Sequence, residues 1–217
     1  MNEEDERLCR IAYTSPQKVM FLDIEASGFK YNDYVTCIGW VFSGKYHYWL
    51  PGLKRTEFLK AFHQAKLLVT FNGRSFDLKY LDRMFRTQTF SEKDNLDLMP
   101  MCKRLGLRGG QKNIEKATGF ERHPAFDGLN GRFAVERWEA FINGDNNSAR
   151  LLIAYNFYDV LGLTYILDWC IHEVSGKSGY FYCGVKAEQR EAALPSSSEC
   201  EKVRGYIMSK HRKKCRQ

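Results

Sequence analysis

The chain's 217 residues are 44% hydrophobic and 14% aromatic, enough for one well-cored domain and too apolar for a disordered chain. Its net charge of +7 is localised: residues 202–217 (KVRGYIMSKHRKKCRQ) carry seven Lys/Arg and no acid, leaving 26 basic and 26 acidic residues over 1–201. No run approaches the ~20 apolar residues of a membrane span, and the acidic start MNEEDERLCR is unlike a signal peptide, so no membrane and a cytoplasmic location are expected.

A short polar lead-in, readable as a helix, precedes KVMFLDIE (residues 18–25), a predicted buried strand. YVTCIGWVFSG (34–44) is predicted as a second strand and KYHYWL (45–50) as its hairpin partner across Ser43-Gly44. RTEFLKAFHQA (55–65) has helical spacing with Thr56 as cap, and KLLVTFN (66–72) is a short strand reached by a crossover. SFDLKYLDRMFR (75–86) is an amphipathic helix with Ser75 as cap. DNLDLMPMCKRLG (94–106) is an extended piece feeding a helix that stops at Gly106, and GGQKNIEKATGF (109–120) is a short helix ended by Gly119. RFAVERWEAFING (132–144) is helical, and residues 147–174 make a long, almost wholly apolar helix that must be buried. Gly, Ser and Pro increase from Ser175, which sets a domain of residues 1–174 apart from an extension, 175–217. The extension's basic end reads as a flexible arm, attracted to polyanions or merely solubilising. Seven scattered cysteines with no C-x-x-C pair argue for reduced, buried thiols. The whole is an α/β fold: a three-stranded antiparallel meander plus crossover strands, flanked by helices.

Three acidic features resist a purely structural reading. Asp23 and Glu25 are one residue apart on the first strand, so both point to one face while Ile24 points to the other, and two like charges side by side call for a cation. Asp159 sits in an apolar helix, where a carboxylate is costly unless paired or bound to metal. Tyr155, one turn earlier, shares its face. Asp77 follows the strand LLVTFN at a helix start, a position that by itself only complements the helix dipole. Carboxylate oxygens are the ligands Mg²⁺ and Mn²⁺ prefer, and a pair of such ions would explain the Asp23/Glu25 doublet.

Asp23-x-Glu25, Asn72-x-x-x-Phe76-Asp77 and Tyr155-x-x-x-Asp159, in that order on those elements, resemble the three motifs of the DEDD, or DnaQ-like, 3′-to-5′ exonucleases of the tyrosine subtype. DLMPMCKRLGL, QKNIEKATGFER and AYNFYDVLGL resemble the YprB-like branch of the ribonuclease-H-like superfamily and extend the likeness over residues 18–172. The resemblance implies a ribonuclease-H-like mixed sheet, with Asp23, Glu25, Asp77 and Asp159 holding two Mg²⁺ or Mn²⁺ ions. Tyr155 then orients the attacking water, and the substrate is a nucleic acid with a single-stranded 3′ end. It also places Asn72, otherwise a turn cap, near substrate. Phe29, in the loop past the doublet, is a candidate to stack on a base. Arg122 is either a phosphate contact or a salt-bridge partner of nearby acids, and the basic group Lys103, Arg104, Arg108 and Lys112 reads as a solvated helix end. The alternatives are a nucleic-acid-binding module that no longer cuts, or an endonuclease with the same metals.

Overall fold

Eight apolar-rich residues, Val19–Ala26, form the central strand β1 in the computed structural model, which describes residues 2–28, 30, 33–177 and 194–214. Strands β2 (Val35–Phe42) and β3 (Lys45–Trp49) pair antiparallel on one side of it. On the other side β4 (Leu67–Thr70) and β5 (Asn95–Asp97) add in parallel, giving the order β3-β2-β1-β4-β5. This is the expected mixed sheet of a ribonuclease-H-like fold. Ser43 (φ 50°) and Gly44 (φ 76°) both take positive φ, as a tight two-residue hairpin matching the strand twist requires.

The pleat sorts β1 by parity. Met20, Leu22 and Ile24 pack into one core with Phe58 and Phe62 of α2 (Thr56–Gln64), Leu78 and Leu81 of α3 (Asp77–Phe85) and Phe90 of α4 (Thr89–Glu92). Val19 and Phe21 face the other core, built by α1 (Glu3–Thr14), α5 (Leu98–Arg104), α6 (Gln111–Ala117), α7 (Gly131–Ile142) and α8 (Asn146–Ser175). Because alternation continues to the strand's end, Asp23 and Glu25 emerge on the α8 face. Helix α8 lies in the middle of this layer, so residues around its whole circumference are buried, including Leu152, Leu163, Ile166 and Leu167. Each such side chain contributes about 1.5–3 kcal/mol of transfer free energy, which is why the helix shows almost no polar stripe.

Neither Thr56 nor Ser75 acts as a cap. Arg55 and Phe76 occupy those positions without a side-chain bond. At α3 the work is done by backbone: Asn72 adopts the left-handed conformation (φ 61°), and its carbonyl accepts from the N–H groups of Ser75 (3.1 Å) and Phe76 (3.2 Å). Asp77 is therefore the first helical residue. The described cysteines, Cys9, Cys37, Cys102, Cys170 and Cys200, are all buried and free, and burial pushes the Cys9 thiol up to about 12. No helix among the described residues is long and apolar enough to cross a membrane.

The segment expected to be a flexible arm is instead helical, α9 (Ser197–Lys214). Cys200, Val203 and Ile207 recur on one side of it and are buried in the same core as α8, while Arg204 donates to the Gly144 carbonyl (3.1 Å). An apolar stripe at helical spacing was masked by the density of lysine and arginine around it. Residues 178–193 and 215–217 lie outside the described residues. Val203→Asp is expected to lower the unfolding free energy by about 3–5 kcal/mol, the cost of an unpaired buried charge, as measured by urea denaturation. In an undocked arm the same change would fall within about 0.5 kcal/mol.

Candidate active site

Asp23 and Glu25 leave β1 facing α8, and Asp159 of α8 faces back, so that one carboxylate oxygen from each lies within 4.8 Å of the others. They line a pocket of about 380 Å³ together with Asp77, Asn72, Phe76, Lys112 and Tyr155. The segments that bring them there are remote in sequence, and what aligns them is the packing of α8 across β1 and β2.

Asn156 makes that packing specific. Fully buried on α8, it donates from Nδ2 to Asp23 Oδ2 (2.8 Å) and to Glu25 Oε1 (3.3 Å), while its Oδ1 accepts from the Tyr46 hydroxyl (2.9 Å). Room for it exists because β2 places Gly39 opposite Asp23, and a Cβ on Gly39 would come within 1.6 Å of Asn156 Oδ1. A missing methyl on one strand thus admits the amide that holds both acids of its neighbour.

Asp77 stands outside the three-carboxylate cluster but in the same pocket. Its Oδ1 accepts from the Ile24 N–H (3.0 Å), tying the start of α3 to the strand between the two β1 acids. The loop that delivers it is fastened by the buried Asp97 at the end of β5, which accepts from the N–H groups of Asn72 (2.7 Å), Arg74 (3.1 Å) and Met99 (3.2 Å). Asn72 consequently lies on the pocket wall, and its contribution to the turn is made by its backbone.

Behind Asp159 runs a buried ion network. The Arg122 guanidinium donates through Nε and Nη2 to both oxygens of Glu115 (2.6 Å each) and through Nη2 to Asp159 Oδ1 (2.6 Å). Its side chain is 3% exposed and is not among the residues lining the pocket. The salt bridges expected of Arg122 are therefore present, made from the rear through Nε and Nη2, while its buried Nη1 has no hydrogen-bond partner among the described residues. Gln111 reinforces the arrangement by donating to Glu115 Oε1 (2.8 Å) and to the Asp159 carbonyl (2.7 Å). Gly162 is the small residue that lets Glu115 reach α8, since a Cβ there would lie 2.0 Å from Glu115 Oε1.

Lys112, expected at a solvated helix end, is in the pocket. Its Nζ donates to the Tyr155 hydroxyl (2.5 Å) and lies 3.6 Å from Asp159 Oδ1. Arg104 of the same expected group is also paired, with Asp5 (2.7 Å). Phe76 forms part of the pocket wall and Tyr80 is buried against it, with ring centroids 4.5 Å apart, so Tyr80 belongs to the core. Phe29 lies outside the described residues. Asn156, Asp97, Glu115 and Gln111 were not singled out by sequence. Only Asn156 left a legible trace, as a second polar group beside Tyr155 in an apolar helix.

The electrostatics follow from the crowding. Burial first, then the negative charges of Glu25 and Asp159, push Asp23 well above the usual carboxylate range, and burial with the Asp159 charge does the same to Glu25. Burial raises Asp77 to about 7, against the lowering effect of the N–H bond from Ile24. Burial and the charges of Asp159, Glu25 and Asp23 hold the Tyr155 phenol far above its ordinary value. A cluster of hard oxygen donors whose charged forms are mutually disfavoured fits a divalent cation, which relieves the repulsion and accepts oxygen ligands.

A mixed five-stranded sheet whose first strand delivers paired acids to a carboxylate on a late helix defines a ribonuclease-H-like nuclease fold. The chain belongs to the RNase_H superfamily, whose sequence model matches residues 20–171. Among solved structures it is similar to the family B DNA polymerase from the hyperthermophilic archaeon Pyrobaculum calidifontis, with a TM-score of 0.56 and 17% identity over 79% of this chain. The chain spans 28% of that polymerase, and the likeness is one of fold. No curated protein matches the chain.

Proposed function

We propose that the chain is a metal-dependent 3′-to-5′ exonuclease that hydrolyses phosphodiester bonds of a nucleic acid. The observation that carries this reading is the convergence of Asp23, Glu25 and Asp159 within 4.8 Å in a pocket that also holds Asp77 and Tyr155. Those four acids would hold two Mg²⁺ or Mn²⁺ ions. Such ions supply Lewis acidity at the scissile phosphate and neutralise its developing charge. The chain's own residues do the placing: Asn156 fixes the Asp23 and Glu25 carboxylates, Arg122 holds Asp159, and Asp77 anchors to the strand between them. Tyr155, a protonated phenol at neutral pH, offers a hydroxyl to orient the attacking water. A pocket of about 380 Å³ suits a terminal nucleotide of a single strand.

The test is a panel of end-labelled linear and closed circular DNA and RNA, single- and double-stranded, with Mg²⁺ or Mn²⁺ at fixed salt. Release of mononucleotides from free 3′ ends, absent with circles and abolished by EDTA, is the expected result. Cleavage of circles would make the chain an endonuclease, and inactivity on every substrate would leave a binding module. Independently of activity, Mn²⁺ at about 100 times its dissociation constant should stabilise the protein by about 2.7 kcal/mol. For a chain of this size that is a rise of roughly 5–10 °C in Tm. It should be readable by calorimetry, reversed by EDTA and lost in Glu25→Gln.

A further inference from the structure

We propose that Lys112 is a positioning residue that fixes the Tyr155 hydroxyl as a donor directed into the pocket. The inference rests on the hydrolase reading above. An ammonium carries three donors and no acceptor, so in the 2.5 Å bond between Lys112 Nζ and Tyr155 Oη the phenol oxygen must accept. The phenol's own proton then has to go elsewhere, and no described residue accepts it. The pocket that Tyr155 lines, beside Asp23, Glu25 and Asp159, is where a water or a phosphate oxygen can take it.

The ring cannot evade this arrangement. It is buried and packed on Phe133 with centroids 5.5 Å apart, and the Lys112 ammonium sits at its hydroxyl end, 4.4 Å from the ring centroid. Lys112 is itself held, because Asp159 Oδ1 lies 3.6 Å from the same Nζ. Asp159 thus acts twice: its charge keeps the ammonium in place, and the ammonium stops the phenol from turning its proton onto Asp159, its neighbour one helical turn away. Without Lys112 the phenol is free to donate to that carboxylate, occupying an oxygen the site needs and turning the proton away from the water.

The experiment is a double-mutant cycle of Lys112→Met and Tyr155→Phe on the full chain, read on kcat, on KM and on the urea midpoint. Each single variant is expected to lower kcat by about 10–100-fold, as loss of a group orienting a metal site does. KM should stay unchanged, and the double variant should be no slower than the slower single one. The proposal is overturned if the two losses multiply. It is also overturned if Lys112→Met raises KM and flattens the dependence of log KM on log salt by about one unit, the signature of a lost phosphate contact. Should the wild-type chain hydrolyse nothing, the hydrolase reading fails and the catalytic role with it. The urea midpoints then separate the two failures: coupled effects mean the Lys112–Tyr155 bond is real but serves no hydrolysis, and additive effects mean the bond itself is wrong.

Discussion

Asp23→Asn is expected to reduce nucleic-acid hydrolysis by at least about 1,000-fold while leaving the metal-free protein as stable as wild type or more so. On the proposed metal-dependent reading, the activity loss follows from removing an anionic ligand where charge neutralisation at the phosphate is needed and single electrostatic contacts contribute about 100–1,000-fold. The stability result follows from the crowding: burial, Glu25 and Asp159 all oppose the charge on Asp23, so the neutral amide removes a repulsion. Asparagine keeps an oxygen to accept from Asn156 Nδ2, so the 2.8 Å bond is not left unmade. Scanning calorimetry in EDTA, alongside the nuclease assay, checks both halves. A drop in metal-free Tm comparable to a core mutation would mean that Asp23 is structural. Asp77→Ala is a poorer probe, because it strands the buried Ile24 N–H, which by itself costs about 1–3 kcal/mol; Asp77→Asn avoids this.

Gly39→Ala is expected to damage both the fold and the site. The added Cβ would overlap Asn156 Oδ1 at 1.6 Å and approach the Tyr46 hydroxyl at 2.9 Å, and neither neighbour is the loose end of a surface side chain. Overpacking costs about 1–3 kcal/mol, and displacing Asn156 leaves buried polar groups unpaired at about 1–3 kcal/mol more. The sum of roughly 2–6 kcal/mol corresponds to a fall in Tm of very roughly 5–20 °C for a chain of this length. Because Asn156 orients Asp23 and Glu25, Mn²⁺ affinity should fall as well, by about 10–100-fold. Isothermal titration at a temperature where the variant is folded separates the two effects. Unchanged Mn²⁺ binding would show that Asn156 packs without positioning.

The fold was largely legible in the residues. The apolar run that opens β1, the Ser43-Gly44 turn, the helical spacing of residues 56–64 and the almost wholly apolar α8 each have one compact solution, because burying apolar area dominates those choices. What misled was chemistry without periodicity. Thr56 and Ser75 have the right side chains for caps, yet neither caps its helix, and the α3 turn is closed by the left-handed Asn72 carbonyl with the Asp97 carboxylate behind it. The basic tail hid Cys200, Val203 and Ile207, whose burial is visible only once a surface exists to receive them.

At the site the division is sharper. Local sequence determined which acids were anomalous: a doublet on a strand, and a carboxylate in an apolar helix, are costly wherever they fold. Tertiary structure decided what surrounds them. Asn156 behind the doublet, Arg122 and Glu115 behind Asp159, Asp97 beneath the Asp77 loop and Lys112 on the Tyr155 hydroxyl are contacts between elements tens of residues apart. A charge's expense is intrinsic to the residue and its immediate neighbours, whereas its compensation depends on distance and geometry in a low-dielectric interior, which only the packed sheet and helices set.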